Sequence, residues 1–393
     1  MTTIRSAVCV RCPPRWLMLR IETDDGEVGW GEAIGDLHQE VEQALNAIGE
    51  RVEGSSIHDI TNLIQIQRKN RFWRDGPVLE TALSALEMAL WDIKGKLLGA
   101  PVHDLLGGRV RERVRVYRNL WGRSPEEFAD SAKEAISNSM TAVKVSPAGP
   151  TPDVISRVQL DEMEAVVSAV RDAVGPAVDL AIDLHGRLTP AASRRAIHAL
   201  SKYDPFFIEE PCLPDGSASH LADLRALRTA QPVAIATGER LRSAHAFAEH
   251  LLPSPVVDII QPDVSMVGGI RASVEIGAMA SAAQVAMAPH CPYGPVQFAA
   301  SMQVAATSPA HLIQEFQSLG GAGSGGGSPG GGQNWAFELL SQPFSIEMGH
   351  VEISSRPGLG IEVLEERIDE HMDMWNPHPP TVWNHPDGSH AEW

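Results

Sequence analysis

Six stretches decide the reading of this chain: VDLAID (residues 178–183), PFFIEE (205–210), PVAIAT (232–237), VDIIQPD (257–263), VAMAPH (285–290) and HLIQEF (311–316). Each is a short apolar run that closes on a polar residue, and each is separated from the next by enough chain for a helix. Two similar runs come before them, VRVYRN (114–119) and TAVKVS (141–146). Parallel neighbours in a sheet need helical crossovers, so eight runs with seven helical connections predict an α/β fold, a (β/α)7β barrel of the TIM type. Ser124-Pro125 and Thr189-Pro190 support the helices, since each sets a hydroxyl N-cap before a proline at the first helical position.

In such a barrel the functional side chains sit at the C-terminal ends of strands. Asp183, Glu209, Glu239, Asp263, His290 and Glu315 close or follow successive runs, at separations of 26, 30, 24, 27 and 25 residues. One strand-helix unit apart, they should converge on one mouth. Asp183, Glu209 and Glu239 together would make an all-oxygen, strongly anionic cage, the ligand set of a hard cation such as Mg²⁺. His185 stands two residues beyond Asp183 and shares its face if the strand continues that far. Asp263 is placed to hold the distal nitrogen of His290, an arrangement that describes a general base.

On either side of the barrel lies different material. Residues 16–32 alternate apolar and polar around the turn pair Asp25-Gly26, and residues 38–105 turn helical, with a long Ala- and Leu-rich stretch at 79–98. The expected division is an α+β capping unit at 1–112, the barrel at 113–342, and a return of 343–393 to the cap, ending in a His-, Trp- and Pro-rich tail that should pack across it. Residues 320–332 contain only Gly, Ser, Ala and Pro and read as a flexible loop, not a dinucleotide site.

Composition narrows the function further. With 43% hydrophobic and 21% charged residues the 393-residue chain should fold as a soluble body, and its net charge of −18 argues against nucleic acid or anionic membrane as a partner. Four scattered cysteines, no apolar leader and no apolar run of about 18 residues point to the cytoplasm. An acidic protein that handles an anionic substrate must neutralise it locally, which again asks for a bound cation.

The motifs AIDLHGR (181–187), FIEEP (207–211), ATGER (236–240), IIQPDVSMVGGI (259–270), APHCPYGP (288–295) and LIQEF (312–316) resemble the enolase superfamily, mandelate racemase subgroup, and within it the D-galactonate dehydratases. The likeness extends to PPRW (13–16), WDIKGK (91–96), RPGLG (356–360) and the terminal AEW. The resemblance implies one Mg²⁺ on Asp183, Glu209 and Glu239, His290 with Asp263 as the base at C2, and His185 as the acid for the departing 3-hydroxyl. It further implies that Glu315 lies against the substrate carboxylate, and that the chain forms an even-numbered homo-oligomer, often an octamer in relatives of this kind. The reaction implied is dehydration of a small sugar acid, galactonate or a related aldonate, to a 2-keto-3-deoxy acid.

Some relatives carry two lysines on the second strand. Here AVKVS supplies Lys144 and then Ser146, which speaks against a lysine base and two-base racemisation. The segments 31–42 and 72–77, where relatives read their substrates, leave the identity of the sugar open. A sugar-acid racemase, epimerase or cycloisomerase is the nearest rival. A hydrolase would want histidine ligands, and a non-catalytic sugar-acid-binding protein should have lost one of these groups.

Overall fold

A computed structural model of the chain describes residues 2–213, 218–230, 232–316, 339–377 and 382–392. The Gly-rich stretch 320–332, His378 and Trp393 lie outside these. The N-terminal unit is an antiparallel meander, β1 (Ile4–Cys12), β2 (Trp16–Thr23) and β3 (Val28–Ala33), with Gly26 at φ +90° in the turn between the last two. Helices α1 (His38–Val52), α2 (Ile60–Lys69) and α3 (Pro77–Leu98) follow. A proline opens α3 and Gly99, left-handed at φ +62°, ends it. Buried residues cover nearly all faces of α3, because it runs between the meander and the barrel.

The meander meets α3 so closely that a Cβ on Gly31 would strike the backbone carbonyl of Ala85. Backbone cannot rotate away as a side chain can. Gly31→Ala is therefore expected to cost about 1–3 kcal/mol, read by chemical denaturation.

After the short helix α4 (Val102–Leu105) the barrel alternates β4 (Arg113–Asn119), α5 (Pro125–Ser137), β5 (Ala142–Val145), α6 (Arg157–Val174), β6 (Asp179–Asp183), α7 (Pro190–Leu200) and β7 (Ile208–Glu209). It continues with α8 (Ala218–Ala230), β8 (Ile235–Thr237), α9 (Ala244–Leu251), β9 (Ile259–Ile260), α10 (Ile270–Ala282), β10 (Ala286–Met287), α11 (Pro295–Thr307) and β11 (Gln314–Phe316). All eight strands are parallel, in sequence order, and β11 returns to pair with β4. A parallel bridge between Met287 and His311 joins the remaining edge, so the ring closes. The hydroxyls of Ser124 and Thr189 cap α5 and α7 as expected.

Two apolar populations separate inside the barrel. Residues such as Val116, Val143, Ile182, Ile208 and Ile260 join the layer under the helices. Tyr117, Ala142, Ala181, Phe207, Ala236, Ile259, Ala288 and Ile313, one from each strand or its edge, form a separate cluster that fills the lumen.

Past the barrel, β12 (His350–Glu352) pairs antiparallel with β4, and the chain then returns to the meander and α3. The Leu359 amide donates to Asp92 (2.9 Å), Arg20 pairs with Glu365 (2.9 Å), and the Asn376 amide donates to the Pro14 carbonyl (2.7 Å). The tail does not stop at the cap. Trp375 stays there beside Arg11, but the ring of Trp383 lies 4.4 Å from the guanidinium of Arg187, at the barrel mouth. Among the described residues no helix is long and apolar enough to cross a membrane.

Candidate active site and metal centre

Side chains alternate along a strand, so the position two residues past each lumen-filling residue faces the same lumen one layer higher. Those positions are Asn119, Lys144, Asp183, Glu209, Gly238, Gln261, His290 and Glu315. An apolar plug thus carries one ring of chemistry directly above it. Only at β8 is the ring position a glycine. Gly238 sits at φ +139°, and a Cβ there would meet Phe247 at 2.8 Å and the Gln261 amide at 2.9 Å, so the acid stands one residue further on, at Glu239.

Asp183, Glu209 and Glu239 come together, with one carboxylate oxygen from each lying within 4.8 Å of the others. Oxygens on opposite sides of one Mg²⁺ stand about 4.2 Å apart, so small side-chain movements would close the cage. Charge argues for a cation as well. Lys144 reaches Glu209 (2.7 Å), Glu315 (3.2 Å) and Asp183 (3.6 Å), one ammonium among three nearly dry carboxylates. Burial and the neighbouring Asp183 push Glu209 well above the usual carboxylate range despite Lys144. Burial also acts to raise Asp183, yet His185 and Lys144 hold it below its ordinary value. An all-oxygen donor set with this excess of negative charge fits a hard divalent ion.

Of the two histidines, His290 stands on this ring of groups. His290 Nδ1 lies 2.7 Å from Asp263 Oδ2, leaving Nε2 toward the cage, 3.5 Å from Glu239. Burial disfavours charge on this ring, but Glu315, the Asp263 hydrogen bond and Glu239 outweigh it and raise His290 to about 10. Its proton is therefore held by carboxylates whose charge a cation would offset.

His185 reaches the site by a different path from the expected one. Strand geometry ends at Asp183, and His185 is left-handed at φ +52°. That turn, and not the continued strand expected from sequence, brings its amide to Asp183 Oδ1 (2.8 Å) and its Nε2 to Asp183 Oδ2 (3.0 Å). Burial lowers its pKa, opposed by Asp183.

All seven residues singled out from sequence meet at this mouth. Four groups were missed. From sequence, Lys144 with Ser146 beyond it speaks only against a lysine base, although a lysine between apolar strand residues is itself a signal for a lumen-facing charge. Asn119 closes the first run, and its amide donates to Glu315 (2.6 Å), so the rule used for the other runs would have found it. Gln261 donates to Glu209 (2.6 Å) and stands two residues past Ile259, where the period of two would have found it; Gln297 donates to Asp263 (2.8 Å), and nothing in its local sequence marks it. Among the described residues no hydrogen-bond donor reaches the buried side-chain oxygens of Asn119 and Gln261, which fits a ligand that donates to them.

Residues 3–107 match the mandelate racemase/muconate lactonizing enzyme N-terminal domain, and residues 127–367 match the enolase C-terminal domain-like family. The D-galactonate dehydratases of Variovorax paradoxus and Pectobacterium atrosepticum are 38% and 36% identical to the chain over 388 residues, 98% of each partner in both cases. An enolase from Agrobacterium radiobacter solved with sodium and L-malate bound superposes with a TM-score of 0.87 at 27% identity, covering 99% of this chain and 98% of that one. A mandelate racemase/muconate lactonizing enzyme from a Sulfitobacter species gives 0.84 at 30% identity, covering 94% and 96%. The chain belongs to the mandelate racemase/muconate lactonizing enzyme family of the enolase superfamily.

Proposed function

We propose that the chain is a magnesium-dependent dehydratase that converts a sugar acid, galactonate or a related aldonate, to its 2-keto-3-deoxy acid. The observation that carries this reading is the pair of histidines beside one carboxylate cage, with His290 backed by Asp263 at 2.7 Å and His185 turned onto Asp183. A racemase needs bases on both faces of one carbon. A dehydratase needs one base and one acid.

A proton α to a carboxylate is very weakly acidic, because removing it places a second negative charge on the carboxylate. Asp183, Glu209 and Glu239 would hold a Mg²⁺, which would supply positive charge against the developing negative charge and against the carboxylates that retain the His290 proton. His290 Nε2 takes the C2 proton, and Asp263 keeps the ring oriented and stabilises the imidazolium that forms. As the electron pair returns from the ene-diolate, the C3–O bond breaks and His185 gives its proton to the leaving hydroxyl, so water departs and not hydroxide. The resulting enol loses its C2 hydroxyl proton and takes one at C3 to become the keto acid. Lys144 supplies the chain's own positive charge beside the substrate carboxylate, and Glu315 is held by Asn119 and the Cys291 amide next to it. The L-malate bound by the Agrobacterium relative is itself a 2-hydroxy acid, in keeping with this substrate class.

A stereochemically complete panel of aldonates and aldarates, incubated with Mg²⁺ and assayed for 2-keto-3-deoxy acids, tests the reading. D-Galactonate or a close epimer is expected to turn over fastest. Solvent deuterium entering C2 of recovered substrate with no keto acid formed would overturn dehydration in favour of racemisation or epimerisation.

A further inference from the structure

The His290–Asp263 dyad is carried by two barrel loops, 261–269 and 288–294, and the cap grips both. Glu32, at the end of β3 and fully buried, lies across the start of α11 and accepts from the backbone amides of Gly294 (2.5 Å), Val296 (3.1 Å) and Gln297 (2.9 Å). Glu87 on α3 does the same for α10, accepting from the amides of Ile270 (2.7 Å) and Arg271 (3.0 Å) and from the Trp91 indole (2.7 Å). Helices α5, α6, α7 and α9 are capped by their own hydroxyls, Ser124, Ser156, Thr189 and Ser243. By contrast α10 and α11 begin at Gly269 and Gly294 with no capping side chain. A Cβ at either glycine would run into the cap carboxylate that occupies the place.

Two smaller bonds tighten the grip. Ser265 donates to the Glu32 carbonyl (2.9 Å), and Ser84 of α3 accepts from the Gly268 amide (2.9 Å). Gln297, whose amide Glu32 holds, donates through its side chain to Asp263 Oδ1 (2.8 Å), and Asp263 Oδ2 holds His290 (2.7 Å). A continuous line of hydrogen bonds therefore runs from the meander to the proposed base.

We propose that Glu32 and Glu87 are positioning residues for the His290–Asp263 dyad: the cap supplies the helix caps that the two dyad loops lack, so that docking of the cap sets the aim of the base. This rests on the role proposed for His290 in proton removal. A carboxylate can accept several amide donors at once with both oxygens, whereas the amide of glutamine has one acceptor oxygen and turns a donor toward the remaining N–H groups. Glutamine at either position should leave the loops less well aimed while filling the same volume.

The experiment compares wild type with Glu32→Gln, Glu87→Gln, Ser265→Ala, His290→Asn and Asp92→Asn, using Mg²⁺ and the sugar acid that wild type turns over fastest, protonated or deuterated at C2. Asp92 is the matched control, a buried cap carboxylate whose partners are Trp30, Lys96 and Leu359. Glu32→Gln and Glu87→Gln are expected to lower kcat about 10- to 100-fold with KM within about threefold and an enlarged C2 isotope effect, and Ser265→Ala to lower it about two- to fivefold. Asp92→Asn should lower Tm with kcat within about twofold of wild type. Should Glu32→Gln fail to fold, Glu87→Gln and Ser265→Ala decide. If those two keep wild-type kcat while Tm falls as in Asp92→Asn, the residues are structural and the inference is wrong. If His290→Asn itself keeps turnover, the proposed role of the dyad fails first.

Discussion

His290→Asn is expected to lower kcat for keto-acid formation about 10²- to 10⁴-fold, the range for loss of a general base. Asparagine retains an N–H toward Asp263 but has no basic nitrogen toward the cage, so geometry survives and proton affinity does not. Running the variant in D2O separates the steps. Exchange at C2 should vanish with turnover, because the group that removes the proton is also the one that returns it. His185→Asn should behave differently, with dehydration lost while C2 exchange continues. Near wild-type turnover in His290→Asn would remove the mechanism, whatever the substrate.

Removal of the proposed divalent ion is the second large effect. Dialysis against a chelator is expected to abolish turnover, and adding back Mg²⁺ to restore it and raise Tm. At a concentration about 100 times its dissociation constant, a ligand that binds only the folded chain stabilises it by about 2.7 kcal/mol. Glu239→Gln should remove both responses. Glu239 suits the test because its ion-pair partners among the described residues are Arg240 (3.6 Å) and His290 (3.5 Å), whereas Glu209 is tied to Lys144 at 2.7 Å and replacing it would take the nearest of three carboxylates from a buried ammonium. Full activity after chelation, or an unchanged thermal shift in Glu239→Gln, would exclude the cage as the metal site.

Much of this site was legible because strands have a period of two. The eight lumen-filling residues and the ring two positions above them are a pattern in the sequence, and Asp183, Glu209, His290 and Glu315 fall on it. Glu239 falls off by one and was still found, since Gly238 displaces it by a single residue. The pattern gave no warning about His185, whose left-handed backbone carries it back to Asp183, since nothing local distinguishes that turn from a strand that simply ends. Lys144 lay in plain view. What it does there depends on the charges of three other strands.

By itself, then, the sequence determined the alternation of strand and helix, the parallel barrel that alternation requires, and the set of carboxylates and histidines its strand ends must gather. These follow from local periodicity and spacing, which the chain carries at every point. Tertiary structure alone decided that one ammonium is shared among three buried acids, that Trp383 comes to rest on Arg187, and that Glu32 and Glu87 cap helices of another unit. Each of these joins residues far apart in the chain, and an electrostatic or capping contact leaves no periodic mark in either of the segments it connects.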